Sequence, residues 1–305
     1  MKWPTSTEFG TGVYPRLRNK LCARSLAWGA VRQLLRPLNW RFLLSRANLV
    51  SAALKNEWNV QATLSQLPVT PEWSINGTTA ENGKRFRFKR DSIGDYSLGY
   101  ADPKVFPLSS ALAVSAAFPG GIGPLSLDAT RFEWMKRDWG APPNQATRIA
   151  PMFQKLRLYD GGVYDNLGLE PLFDTGKGEP KHKYEFIVVS DAGSPLEMGL
   201  SAGVLSPWRL KRLADIMSDQ SRALRVRSFS NYLQRGTDRG AYAYIATPLI
   251  DRKISAEADF VCRFPTTLSR LKLSAFDMIA NHGYNVAKKV HETFGLFPPI
   301  SSSIV

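Results

Sequence analysis

Apolar residues recur at helical spacing from Leu21 to Leu44, interrupted at Pro37, and again from Arg46 to Trp58. Both stretches predict amphipathic helices. The period then shortens. Trp73 to Thr79 and Lys84 to Arg90 read as a strand pair joined at Glu81-Asn82-Gly83, and the Phe86/Phe88 alternation sets both rings on one face. Ser109 to Phe118 predicts a helix of small residues, Leu156 to Tyr159 a strand, and Asn166 to Phe173 a short helix. Tyr184 to Ser190 is apolar and β-rich, as a buried parallel strand would be. Trp208 to Leu233 predicts a long basic helix, Tyr242 to Thr247 a last strand, and Ser274 to Thr293 a C-terminal helix. Strands alternating with helices predict a mostly parallel sheet covered on both faces.

One short stretch adds chemistry to this pattern. Asp160-Gly161-Gly162-Val163-Tyr164-Asp165-Asn166-Leu167-Gly168 follows the strand-like Leu156 to Tyr159. It predicts a carboxylate at a strand's C-terminal end, beside a turn tight enough to leave its oxygens exposed. Ligands of open α/β sheets bind beyond the strand carboxyl ends, and glycines permit φ > 0 and close approach of a substrate to the backbone. Asp160 is then a general base, or equally the first residue of an Asp-Gly turn. Asn166 either fixes the shape of the Asp160 loop or caps the next helix. Asp191, before Ala192-Gly193, also ends a strand and is expected to form a structural turn.

The Asp160 segment resembles the aspartate motif of the patatin-like phospholipases, in which the catalytic Asp precedes Gly-Gly or Gly-Ala. Residues 107–127, PLSSALAVSAAFPGGIGPLSL, resemble the family's Ser/Ala-rich helix ending in a Phe-Pro turn beside the active site. Residues 74–88 resemble its preceding strand pair, and residues 187–195 the strand after the Asp loop. The resemblance implies an α/β fold, a three-layer α/β/α sandwich with a mostly parallel sheet whose N-terminal strands are missing. It implies a single patatin-like domain over 1–305, N-terminally incomplete, with a basic helical region at 1–60 and a matched core at 61–293. It further implies a lipid acyl hydrolase with a Ser-Asp dyad, in which Asp160 is catalytic, Gly161 and Gly162 shape the active-site loop, the substrate is a lipid or acyl ester, and neither metal nor other cofactor is used.

The family's nucleophile lies in a Gly-x-Ser-x-Gly elbow ahead of the aspartate, with an Arg-bearing glycine-rich oxyanion loop further upstream. The chain is expected to lack both, Gly193-Ser194-Pro195 being the nearest approach to an elbow. Losing a serine nucleophile costs on the order of 10⁶-fold in rate, so the chain alone is expected to show almost no esterase activity. The missing half is expected from a start codon placed too late, from gene truncation or from an N-terminal partner chain. The alternative is a catalytically inactive fragment or a lipid- or protein-binding module.

Charge narrows the partners. The net charge is +14, and residues 1–60 hold ten Lys/Arg against Glu8 and Glu57. Trp3, Trp28, Trp40 and Trp58 are interspersed with them. Basic residues mixed with Trp and Leu suit peripheral binding to an anionic membrane, or form a solvated basic face. No nucleic-acid recognition motif is present, so nucleic acid is not expected as a partner. Cys22 and Cys262 make no disulfide framework, and MKWPTSTEFG has no apolar signal core. A cytoplasmic chain, with peripheral membrane contact, is the expectation. A Ser-His-Asp triad through His282 is conceivable, but the family uses no His, and His282 is expected to pack its helix. His182 and His291 have no metal-site spacing.

Overall fold

In the computed structural model the described residues are 6–119, 121–138, 140–181, 184–200, 203, 206, 208–248 and 255–295. They form two compact units, Met1–Tyr164 with Leu268–Leu271 and Asp165–Thr267 with Lys272–Val305.

The first unit opens with helices α1 (Ser6–Glu8), α2 (Tyr14–Ala23), α3 (Leu26–Arg32) and α4 (Arg46–Asn56). Ser25 starts α3 by accepting the Trp28 N–H at 3.2 Å, a side-chain N-cap. The helix expected to run on to Leu44 stops instead. The residue before a proline is pushed out of helical space, and Arg36 is extended at φ −96° and ψ 111°. Short 3₁₀ turns at Gln33–Leu35 and Pro37–Phe42 flank it.

Strands β1 (Ile75–Thr79), β2 (Arg85–Phe88), β3 (Ile93–Asp95) and β4 (Gly99–Ala101) follow. Helix α5 (Leu108–Ser115) comes next, then β5 (Leu125–Asp128), β6 (Trp134–Lys136), β7 (Thr147–Ile149) and β8 (Lys155–Asp160). They make one sheet in the order β5-β8-β1-β2-β3-β4-β6-β7. Every neighbouring pair is antiparallel, and the sheet curls into a half-barrel.

This overturns the expected three-layer α/β/α sandwich on a mostly parallel sheet. Parallel neighbours need a crossover of a dozen or more residues, whereas antiparallel ones need only a turn. From β1 to β4 the chain has only short turns between strands. Several of these strands are three residues long, too short for a period-two signal, so the sequence pattern showed too few strands and assigned them to helix-linked units.

The second unit begins within the short helix α6 (Gly162–Asp165). Residues 166–172 are turns rather than the expected helix, and they lead into the small hairpin of β9 (Phe173–Asp174) and β10 (Glu179–Pro180). Parallel pairing occurs here, between β11 (Ile187–Asp191) and β12 (Gly240–Tyr244). Helix α7 (Trp208–Leu233) lies between them in the chain and supplies the long crossover. Strand β11 alternates buried and exposed residues instead of being buried throughout. Helices α8 (Ala256–Cys262) and α9 (Leu273–Phe294) complete the unit. Gly295 ends α9 in the left-handed region at φ 62°, its N–H bonded to the His291 carbonyl at 2.8 Å.

The core of the first unit sits between the sheet and helices α4 and α5. Phe86 and Phe88 are fully buried on the same face, as their alternation predicts, with ring centroids 5.0 Å apart. Helix α5 lies close to β1 because Gly77 has no side chain: a Cβ there would stand 2.5 Å from Val114 Cγ1. The second unit packs Phe173 edge-to-face on Phe229 at 5.4 Å, with Tyr232 beside them. Phe86→Ala should cost about 3–5 kcal/mol of stability through the cavity it leaves. Urea denaturation would check this, and a loss under about 1 kcal/mol would show that the site collapses to fill the space.

Candidate active site at the end of strand β8

Strand β8 is held on both sides, with Leu158 opposite Leu125 of β5 and Asp160 opposite Gly77 of β1. Three contacts fix its last residue. The Asp160 N–H donates to the Ala117 carbonyl at 3.1 Å, just beyond α5. The Asp160 carbonyl accepts the Thr78 hydroxyl at 2.8 Å, and Asp160 Oδ1 accepts the Gly162 N–H at 2.7 Å. Asp160 therefore ends its strand and closes an Asx turn at once. The Ala117 contact sets it beside the Phe118-Pro119 turn that follows the Ser/Ala-rich helix.

The glycines act differently from expectation. Neither Gly161 nor Gly162 has a positive φ. Gly161 is required because a Cβ there would stand 2.7 Å from the Asn76 carbonyl oxygen of β1. The close approach is of strand to strand, not of substrate to backbone. The neighbours of β8 run antiparallel, so the crevice beyond parallel strand ends does not exist here, and that reason for placing a ligand at Asp160 falls.

The carboxylate itself has unequal oxygens. Oδ1 holds the turn, and among the described residues no hydrogen bond reaches Oδ2. Burial pushes the carboxyl above its usual range, and the Gly162 N–H opposes this less strongly. Asp160 is thus a half-buried acid with one oxygen engaged and the other open. Ser115 on α5 is exposed, while Ser109 is buried and Ser110 half-buried. Ser51 Oγ lies 3.4 Å from Ser109 Oγ and 2.9 Å from Ser110 Oγ, so these hydroxyls bind α4 to α5. A groove of about 940 Å³ in the same unit is lined by Arg87, Lys89, Tyr96, Tyr100 and Lys136 among others, and Asp160 is not one of its walls.

Two other aspartates are fully engaged. Asp95 is buried at the β3–β4 turn, a residue that sequence reasoning passed over. Its Oδ1 accepts the Ser97 and Leu98 N–H groups at 2.8 Å each, and Oδ2 accepts from Asn82 at 3.0 Å. Asp191 does form its expected turn, its Oδ1 accepting the Gly193 N–H at 2.8 Å. It also meets the Arg222 guanidinium, at 2.8 Å from Nε and 2.6 Å from Nη2, and accepts the Tyr242 hydroxyl. Burial alone would lower the Arg222 ionisation, but the hydrogen bond and charge of Asp191 raise it; burial and Asp191 together raise Tyr242.

Asn166 is exposed and neither caps a helix nor holds the Asp160 loop. The adjacent buried Asp165 organises that segment, accepting the Leu167 and Glu170 N–H groups at 3.2 and 2.7 Å. His282 is buried, with Nε2 2.7 Å from the Ile245 carbonyl and Nδ1 without a partner. It belongs to the second unit and Asp160 to the first. His182 lies outside the described residues.

The expected absence of an elbow motif also needs correction. Gly199-Leu200-Ser201-Ala202-Gly203 has the Gly-x-Ser-x-Gly spacing. Only the spacing agrees. The motif follows Asp160 instead of preceding it, and β11 ends eight residues before Gly199, so the strand that an elbow requires is missing. Ser201 and Ala202 lie outside the described residues. No protein-family model, curated protein or solved structure matches the chain. No helix among the described residues is long and apolar enough to cross a membrane.

Two outcomes test these assignments. A folded-state carboxyl raised above its unfolded value contributes stability below the ordinary carboxylate range, and that contribution is lost as pH rises through the raised value. Asp160→Asn keeps the Oδ1 acceptor without the charge. Its melting temperature should therefore gain on wild type as pH climbs through that window, then level off; a pH-independent difference would remove the desolvated carboxylate. Asp191→Ala takes the nearer carboxylate from the half-buried Arg222, which keeps Asp219 at 3.6 Å, and should cost about 3 kcal/mol in a denaturant titration.

Proposed function

We propose that the chain carries the general base of a serine acyl hydrolase of the patatin-like kind, acting on a lipid or other acyl ester. In this reading Asp160 takes the proton of a serine hydroxyl as that oxygen attacks the ester carbonyl. Asp160 gives that proton to the departing oxygen, which leaves as the alcohol; ionised again, it takes a proton from the water that attacks the acyl-enzyme and passes it to the serine oxygen as the acid is released. A dyad of this kind needs no metal or other cofactor.

The observation that carries the reading is the asymmetry of the Asp160 carboxylate. One oxygen is anchored by Gly162 N–H, the other is open, and burial makes the group more basic than an ordinary carboxylate. A base needs a fixed orientation and an available lone pair, and a raised pKa strengthens proton uptake. The backbone bond from Asp160 to Ala117, next to the Phe118-Pro119 turn, supports the same assignment. Among the described residues no serine hydroxyl meets the Asp160 carboxylate, so this proposal takes the serine from a partner polypeptide.

A second reading, a non-catalytic lipid- or protein-binding module, is favoured by a single observation. Among the described residues no hydroxyl or thiol hydrogen-bonds the Asp160 carboxylate; the Thr78 hydroxyl meets the backbone carbonyl instead. Fluorophosphonate labelling of the full chain, mapped by mass spectrometry, separates the possibilities. No adduct is expected from the chain alone, and an adduct on Ser201 would replace an external nucleophile with an internal one. In a protein supplied with an N-terminal elbow segment, Asp160→Ala should lower ester turnover on the order of 10⁴-fold with folding intact. Retained turnover would remove Asp160 from the mechanism.

A further inference from the structure

Between Arg24 and Arg46 the chain holds five arginines and no acid. If the whole stretch were one amphipathic helix, its apolar side chains would face the core. The break at Pro37 turns many of them outward. Leu35, Leu38 and Leu44 are 82%, 83% and 90% exposed, the three most exposed large hydrophobics described in the first unit. Trp28 and Trp40 are 67% and 60% exposed. Isolated exposed leucines need no explanation, but a contiguous apolar group does.

The segment is also fastened. Trp40 Nε1 donates to the Leu34 carbonyl at 2.8 Å, and Asn39 Nδ2 donates to the Gln33 carbonyl at 2.9 Å. Gln33 is buried; its amide donates to Glu57 Oε1 at 3.2 Å and accepts from Asn56 Nδ2 at 3.0 Å. Arg32 pairs with Glu57. The backbone is braced from within while the leucines point out. With its N–H satisfied internally, the Trp40 ring requires no water at that end.

From this arrangement we infer that residues 28–46 form a docking surface for an anionic lipid bilayer. The exposed leucines and tryptophans enter the headgroup–acyl boundary, and Arg36, Arg41 and Arg46 sit among the headgroups. Charge complementarity selects this occupant. Apolar residues flanked by arginines, with tryptophan at the margin, match a surface that is negative outside and apolar beneath. The surface goes beyond the reading of Asp160 and does not depend on it.

The test is co-sedimentation of the full chain with phosphatidylcholine vesicles, with and without phosphatidylserine. Binding should require phosphatidylserine and weaken as salt rises. The triple variant Leu35→Asp/Leu38→Asp/Leu44→Asp should bind at least ~100-fold more weakly, from lost apolar burial. Arg36→Glu/Arg41→Glu should lose about 25-fold or more and flatten the salt dependence. These side chains are exposed, so circular dichroism and melting should match wild type. The proposal is overturned if the wild type does not bind phosphatidylserine vesicles at low salt, or if the triple variant binds as wild type does. It is also overturned if sedimentation velocity shows a dimer that the triple variant abolishes, since a second copy would then be the occupant. The readout is binding and not ester cleavage, so failure here leaves Asp160 as it stands.

Discussion

Helix α5 can lie on β1 only because Gly77 has no side chain; a Cβ there would meet Val114 at 2.5 Å. Much of the first unit depends on that approach. It closes the core over Phe86 and Phe88, two rings that a more distant helix would leave partly wet. It also brings the Ala117 carbonyl, just past the helix, within 3.1 Å of the Asp160 N–H. A second missing side chain, at Gly161, lets the chain turn past Asn76 immediately after β8. Two glycine contacts in the sheet therefore decide where the carboxylate stands.

Three strand-end aspartates, Asp95, Asp160 and Asp191, show how chemistry follows from unspent hydrogen-bonding capacity. Asp95 uses both oxygens on backbone and side-chain donors. Asp191 spends one oxygen on Gly193 and the other on Arg222 and Tyr242. Each is a finished structural element, and a buried charge so satisfied has no lone pair for a reactant. Asp160 is held as firmly by its backbone, yet Oδ2 meets no described donor. An unfinished carboxylate in a partly desolvated place is where a proton acceptor belongs.

The resemblance to the patatin-like enzymes and the observed sheet pull apart. A small-residue helix ends next to the Asp-Gly-Gly turn with a strand pair ahead of it, but the large sheet is antiparallel and not the expected mostly parallel one. A mostly parallel sheet would put ligands beyond the strand carboxyl ends, and the curled antiparallel sheet removes that geometry. The proposed function consequently rests on one side chain and its surroundings and not on a fold, which by itself assigns no chemistry.

The sequence by itself determined the elements with a long or clean period. The long basic helix expected over Trp208–Leu233 has those same bounds, and α4, α9 and the β1–β2 pair fall within a few residues of expectation. It also placed Asp160 at the end of a strand, where the strand-like stretch Leu156 to Tyr159 gives way to Gly161-Gly162. Three-residue strands carry no period, so β3, β4, β6 and β7 were invisible, and with them the direction of the sheet. Only the tertiary structure decided that Leu35, Leu38 and Leu44 face outward, because apolar spacing marks one face of a helix and cannot say which way a chain turns once Pro37 breaks it. Only the tertiary structure decided which aspartate stays open, since that depends on donors such as Arg222 and Asn82, which lie tens of residues or a full turn away in the chain. Patterns along a chain record local preference; satisfaction of a buried carboxylate is a sum over neighbours that only folding brings together.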